Sequence, residues 1–282
     1  MLKTYSAIAK PGIILGNAIT ASGGFALASR KQFDFWLFIA TLAGLSLIIA
    51  SACIFNNCID RNIDEKMERT KSRALVIGLI TAQQAMISAT FLGGLGSLLL
   101  AFFTNFLALA LTLFGFFVYV VLYSFLKYHT VHGTLIGSIA GAIPPVVGYC
   151  AVADRFDLGA LLLFLLIAMW QMPHFFAIAI YRLGDYAKAD IPVLPVKKGI
   201  RITKIQMLFY IIAFMMVSFL MTSLNYTGNL YLIATFLLGT VWIWLSIKGF
   251  KCKNDQLWAR QMFLFSLVAV TSLCLVIPFS KP

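Results

Sequence analysis

Nine apolar runs separated by polar connections dominate the chain, at about 12–28, 36–56, 82–103, 106–126, 131–151, 158–180, 205–224, 229–248 and 262–279. Each is ~17–23 residues long, the length that carries a helix across the hydrocarbon core of a bilayer. Runs of this length recurring throughout leave little room for a soluble domain. The pattern predicts an all-α polytopic membrane protein. Its nine transmembrane helices form one bundle, a single domain over 1–282. The first run lacks a small-x-small cleavage site and is followed at once by another, so no cleavable signal peptide is expected.

Two connections, 57–81 and 181–204, are much longer than the others. Short connections join neighbouring helices, whereas long ones in a compact fold commonly carry function. Each half of the chain runs an apolar segment into a mixed acidic and basic loop, a weak internal repeat of the kind transporters also show.

Composition agrees with the hydropathy pattern: 61% of residues are hydrophobic and 11% charged, against about 25% charged in soluble domains. The net charge is +12. Of the 22 Lys and Arg residues, all but Arg30, Lys31, Arg155 and Lys281 fall on the cytoplasmic side if the N-terminus is cytoplasmic. That bias orients the protein N-terminus in and C-terminus out, and it accounts for the charge without a nucleic-acid partner. Cys53, Cys58, Cys150, Cys252 and Cys274 form no CxxC pair and lie in or beside apolar runs, as small buried residues do.

The chemistry begins where the second run ends. Asn56, Asp60 and Asp64 are spaced four apart, with Glu68 extending the series. Four residues turn a helix through about 400°, so these side chains share one stripe. Oxygen donors grouped at a membrane edge suit a hard cation such as Mg²⁺, which is often shared between carboxylates and substrate phosphates. Arg69, Lys71 and Arg73 follow and offer donors to phosphate oxygens. Charges at i, i+4 can equally solvate a surface helix, but this stripe starts inside the apolar run. The second long loop holds Arg182, Asp185, Asp190, Lys197 and Lys198, either an ordinary basic interface loop or a second cation and phosphate cluster.

Within the sixth run lies Gln171-Met172-Pro173-His174-Phe175. Polar residues there face a cavity or the bundle interior. His174 is therefore either a pocket residue, as a contact to a metalloporphyrin or a proton carrier, or a histidine bonded to a neighbouring helix. Lys127 sits at the cytoplasmic end of the fourth run, either reaching a phosphate or snorkelling. His129 and His132 lack the further ligands a metal site needs. Gly137, Gly141, Pro144, Pro145 and Gly148 are expected to break up the fifth run, and the small residues to allow close helix packing or the approach of a bulky flat ligand to the backbone.

Together these motifs resemble the UbiA-type intramembrane prenyltransferases, through Asn56-xxx-Asp60-xxx-Asp64. More narrowly they resemble the protoheme IX farnesyltransferase (haem O synthase) branch, through Asn57-Cys58-Ile59-Asp60-Arg61, Met67-Glu68-Arg69-Thr70, Gly141 to Gly148, Gln171 to Phe175, and Asp185-Tyr186 with Pro192 to Val196. The similarity runs nearly the whole chain, with the motifs in order. It implies nine helices around a central cavity, in a bacterial cytoplasmic (inner) membrane with the active site on the cytoplasmic side. It also implies farnesyl transfer from farnesyl diphosphate to a vinyl group of haem B, with addition of water, giving haem O. Downstream partners would be haem A synthase or a terminal oxidase. Asn56, Asp60, Asp64 and Asp185 would hold Mg²⁺. Arg69, Lys71, Arg73, Lys127, Arg182 and Lys198 would take the diphosphate, and His174 the haem. The chain departs from the family pattern in two places: Ala189 stands four after Asp185, with the acid one later at Asp190, and Ala74 follows Arg73 where a proline is common.

Three other readings compete. A sister enzyme acting on an aromatic quinone precursor would share the acid stripe but not the Gln171 to Phe175 motif. A secondary transporter would place its acids near the bilayer midplane rather than at one edge. A non-catalytic haem-handling protein would leave the acid and basic clusters without a purpose.

Overall fold

The computed structural model describes residues 7–29 and 32–280. Lys3, Arg30, Lys31 and Lys281, which enter the charge argument above, lie outside the described residues. The elements are α1 (Pro11–Ala28), α2 (Phe35–Ile59), the single turn α3 (Arg61–Asp64), α4 (Ala82–Phe103), α5 (Phe106–Phe117), α6 (Gly133–Ala153), α7 (Leu158–Tyr181), α8 (Leu183–Lys188), α9 (Leu194–Lys198), α10 (Ile200–Ser223), α11 (Asn229–Lys248) and α12 (Asp255–Val276). Among the described residues there are no strands, and nine helices are long and apolar enough to cross a membrane. The protein is thus an all-α integral membrane protein.

α1 packs on α6, α2 on α4, and α6 on α7, while α7 in turn meets α10 and α12. The largest fully buried side chains include Trp242, Tyr231, Phe25 and Phe214, mostly in the α6–α7–α10–α11–α12 core. Phe91, Phe102, Phe106, Phe209 and Phe236 point outward, the apolar outer face that a bilayer solvates. Asp34, Thr81, Asn105, Asp157 and Asn254 cap helix starts by accepting backbone N–H bonds, and Thr81 forms a full capping box with Gln84.

Several boundaries differ from the hydropathy reading. α10 starts at Ile200 rather than 205, and α12 at Asp255 rather than 262. A cluster of contacts around Lys204 joins the two starts. Lys204 of α10 is ion-paired with Asp255 of α12, donates to the Gly249 carbonyl at 2.6 Å, and lies 4.8 Å from the Trp258 ring centre. Charge that reads as loop is here helix held by its own counter-charge. The expected break of the fifth run does not occur: α6 passes through Pro144 and Pro145 without interruption. Its glycines act in packing. A Cβ on Gly148 would sit 2.0 Å from the Ala21 carbonyl, and one on Gly24 of α1 would sit 1.9 Å from that of Pro145. α1 and α6 therefore touch backbone to backbone. All five cysteines are free.

Candidate active site

α2 does not stop cleanly at Ile59. The Asp60 N–H bonds the Asn56 carbonyl at 2.9 Å, and the Asp64 N–H bonds that of Asp60 at 2.8 Å. The helical course thus continues through the α3 turn, and Asn56, Asp60 and Asp64 keep one face. All three are buried, at 3%, 9% and 2% exposure, so each side chain needs a partner. Asp60 has two: Lys127 Nζ at 2.6 Å and the Tyr128 hydroxyl at 2.5 Å. Asp64 is ion-paired with Arg73, which also donates to Asn57 Oδ1 at 3.2 Å. Asn56 Oδ1 accepts from Lys10 Nζ at 3.1 Å and from the Tyr119 hydroxyl at 3.4 Å, while its amide donates to Ser124 Oγ at 3.0 Å.

The fourth span is shaped to meet this face. α5 gives way to a π-helical stretch, Val118–Tyr123, and then to Ser124–Leu126. The Ser124 hydroxyl donates to the Tyr119 carbonyl at 3.1 Å, closing the widened turn. Such bulges often occur at functional sites. This one stacks Tyr119 and Tyr123, with ring centres 5.4 Å apart, and aims Lys127 between the Tyr123 and Tyr128 rings.

Glu68 does not continue the stripe. The helix ends at Asp64, and Glu68 turns out to solvent on Lys71 at 2.6 Å, with side chains 62% and 56% exposed. Arg69 and Lys198 are exposed as well, and Arg182 stacks on the Tyr181 ring at 4.5 Å. The structure therefore brings Arg73 and Lys127 to the acids and gives Arg69, Lys71, Arg182 and Lys198 no hydrogen bond to them. Asp185 lies half-buried on α8 and makes no hydrogen bond to Asp60 or Asp64. Among the described residues, no three Asp, Glu, His or Cys side chains converge on a point. Asp190 is exposed in a turn, at a left-handed φ of 53°, a conformation Asp tolerates better than most. The two long loops are nonetheless joined. Ile63 and Met67 of the first pack with Tyr186, Ala189, Ile191 and Val193 of the second, and with Tyr128. Nearby, Arg69 partly offsets the rise that burial imposes on the Tyr186 hydroxyl.

Sequence reasoning missed Lys10, Tyr119, Ser124 and Tyr128. Lys10 precedes Pro11 at the N-cap of α1 with a left-handed φ of 55°. Its pKa is lowered to about 8, chiefly by burial, with Arg73 and Lys127 adding to the fall and Cys53 and Asp60 opposing it. Burial also lowers that of Lys127, with Asp60 opposing, and raises that of Tyr128, with Asp60 adding to the rise. A lysine directly before a proline at the mouth of the first span was the one available signal. Tyr119 comes from a helix whose local widening hydropathy does not register, and Tyr128 from the turn that follows it.

His174 is buried on α7. Its Nδ1 lies 2.7 Å from Ser266 Oγ of α12, and its ring stacks on Trp170 at 4.9 Å and meets Phe263 at 5.0 Å. His129 packs against Phe125, and His132 is the N-cap of α6.

Residues 17–268 match the UbiA prenyltransferase family, and the chain belongs to that family. Two of its similar relatives are named Protoheme IX farnesyltransferase. The one from Protochlamydia amoebophila (strain UWE25) is 54% identical and covers 99% of both chains. The one from Serratia proteamaculans (strain 568) is 52% identical over 97% of this chain and 93% of the relative. Among solved structures, a digeranylgeranylglyceryl phosphate synthase superposes with TM-score 0.79 at 20% identity, over 99% of this chain and 97% of that one. A UbiA homolog from Archaeoglobus fulgidus bound to GPP and Mg²⁺ gives 0.67 at 16% identity, over 98% and 99%. These structural likenesses establish the fold.

Proposed function

We propose that the protein transfers a farnesyl group from farnesyl diphosphate to a vinyl group of haem B, with addition of water, to give haem O. The observation that carries group transfer is the buried pair of carboxylates at one membrane edge, each already neutralised by a cation. The choice of haem as acceptor rests on relatives more than half identical along the whole chain.

The donor set fits Mg²⁺. Two carboxylates and an amide oxygen on one face, from Asp60, Asp64 and Asn56, are hard ligands that diphosphate oxygens and water complete. Asp185 is our candidate for a second ion, on the loop that packs against the first. Bound Mg²⁺ would supply Lewis-acid stabilisation of the leaving diphosphate. The chain's own groups do the rest. Arg73 and Lys127, held at the acids, are placed to turn toward diphosphate oxygens as negative charge develops. Arg69, Lys71, Arg182 and Lys198 make the rim positive for an entering anion. The C–O electron pair leaves with the diphosphate, and the vinyl π pair makes the new C–C bond to the allylic carbon. Water closes the resulting porphyrin-side cation and sheds a proton. His174 holds the haem among aromatic rings. We place the N-terminus and this site on the cytoplasmic face of a bacterial inner membrane, from the Lys and Arg bias. Haem A synthase or a terminal oxidase would take the product.

The test is mass spectrometry of haems extracted from membranes given haem B, farnesyl diphosphate and Mg²⁺, with an EDTA control. A farnesylated, hydrated haem that disappears with EDTA is expected, as is its loss in Asp60→Ala and Asp64→Ala. Unchanged haem B from folded protein would overturn the assignment.

A further inference from the structure

Ser266 carries one hydroxyl hydrogen, and the structure commits it. Ser266 Oγ donates to the Phe263 carbonyl at 2.6 Å. Toward His174 Nδ1, 2.7 Å away, the same oxygen is left to accept. The Nδ1 atom must then carry the hydrogen, and a neutral imidazole keeps its lone pair on Nε2. The partner is itself fixed, because Trp170 Nε1, one turn before His174, donates to the Ser266 carbonyl at 2.7 Å. Trp170, Phe175 and Phe263 enclose the ring, with centres 4.9, 5.5 and 5.0 Å away.

The other nitrogen is treated differently. Nε2 makes no hydrogen bond to any described residue. It is also absent from the sealed, unpaired polar atoms, which belong to Ser29, Ser218, Thr235, Trp242 and Ser246. Its lone pair opens onto accessible surface, seven residues and so roughly 10 Å along α7 from the cytoplasmic end at Tyr181. A histidine serving only to lock α7 to α12 would gain nothing from an unbonded acceptor. An imidazole held by its Nδ1–H with Nε2 free has the form of a metal ligand.

We propose that Ser266 is a positioning residue for the acceptor substrate: it fixes the Nδ1–H tautomer of His174 and so presents Nε2 as an axial ligand to the iron of haem. Tethering the iron sets where the porphyrin lies and hence which edge faces the allylic carbon. This rests on the haem reading above.

Ferric haem B titrated into the purified full-length protein, followed by its Soret band and by electron paramagnetic resonance, tests it. The wild type should show a nitrogen-ligated haem. Ser266→Ala should weaken haem binding roughly tenfold and change the signature, since partners of a ligating histidine commonly contribute that much. His174→Asn is the sharper variant. Its side-chain amide nitrogen takes the place of Nδ1 and keeps the bond to Ser266, but nothing replaces Nε2. It should keep the wild-type melting temperature and prenyl diphosphate binding while losing the nitrogen-ligated form. Wild-type haem spectra in His174→Asn, or a wild type that makes farnesylated haem without a nitrogen-ligated signature, would overturn the inference and leave the proposed activity standing. Absence of any haem product from the wild type would instead overturn the activity, and this inference with it.

Discussion

Lys127→Met isolates the contribution of the site's own charge balance. The Asp60 and Lys127 side chains are 12% and 11% exposed and 2.6 Å apart. Removing one partner of such a pair leaves a buried carboxylate whose remaining partner is the Tyr128 hydroxyl, at a cost of about 3–5 kcal/mol. In a chain of this size, 1 kcal/mol moves the melting temperature by about 2–4 °C, so a fall of about 6–20 °C is expected. Asp60→Asn/Lys127→Met removes both charges and should recover most of that loss, because the penalty lies in the unpaired ion rather than in the missing contact. Catalysis should behave oppositely. Both variants should lose about 10²-fold or more in haem O formation, as when one preorganised charge-stabilising donor is deleted. Thermal unfolding in detergent and mass spectrometry of the haem product read the two quantities separately. A single variant melting within 2 °C of wild type, or a double variant as unstable as the single, would refute the picture of mutually compensating buried charges.

Arg73→Ala should behave like Lys127→Met, because Arg73 joins Asp64 to Asn57, whereas Lys71→Ala should leave product formation within about twofold, its exposed pair with Glu68 being worth little; equal loss in both would place the phosphate contacts at the rim instead. Gly148→Ala should cost at least about 1–3 kcal/mol, read by melting temperature, because its Cβ would meet the Ala21 carbonyl and force α1 from α6; an unchanged melting point would mean the two backbones do not touch. Asp157 titrates below the ordinary carboxylate value: burial alone would raise it, but bonds from the Ala160 N–H, Tyr149, Arg155 and the Gly159 N–H outweigh that. The folded state therefore binds this proton more weakly than the unfolded one, so its contribution is present above about pH 4 and is lost as pH falls through that value and below. Asp157→Asn should remove that part of the acid slope of the melting temperature, and an identical slope in the variant would refute it.

How far the sequence could be read depended on the range of the interaction. The nine spans were legible because burial in lipid constrains every residue of a run, and so was the Asn56–Asp60–Asp64 face, because one helical period sets it. The errors come where a local signal was extrapolated or where the decisive partner is remote. Glu68 fits the period but not the structure, since the helix ends at Asp64. Pro144 and Pro145 predicted a break that does not occur, because α1 packs along that part of α6. Lys204 and Asp255 read as loop charges until they are brought together, 51 residues apart. The same limit applies to chemistry. Asp60 was visible, but its partners Lys127 and Tyr128 are 67 and 68 residues away. His174 was visible, but what decides the state of its ring is Ser266, 92 residues on. In this fold the candidate site residues are marked by local spacing, and the residues that pair with them are supplied by neighbouring helices. A substitution scan guided by motif alone would therefore find Asp60, Asp64 and His174 and pass over Lys10, Tyr128 and Ser266, whose effects should show first in binding and stability and only through those in turnover.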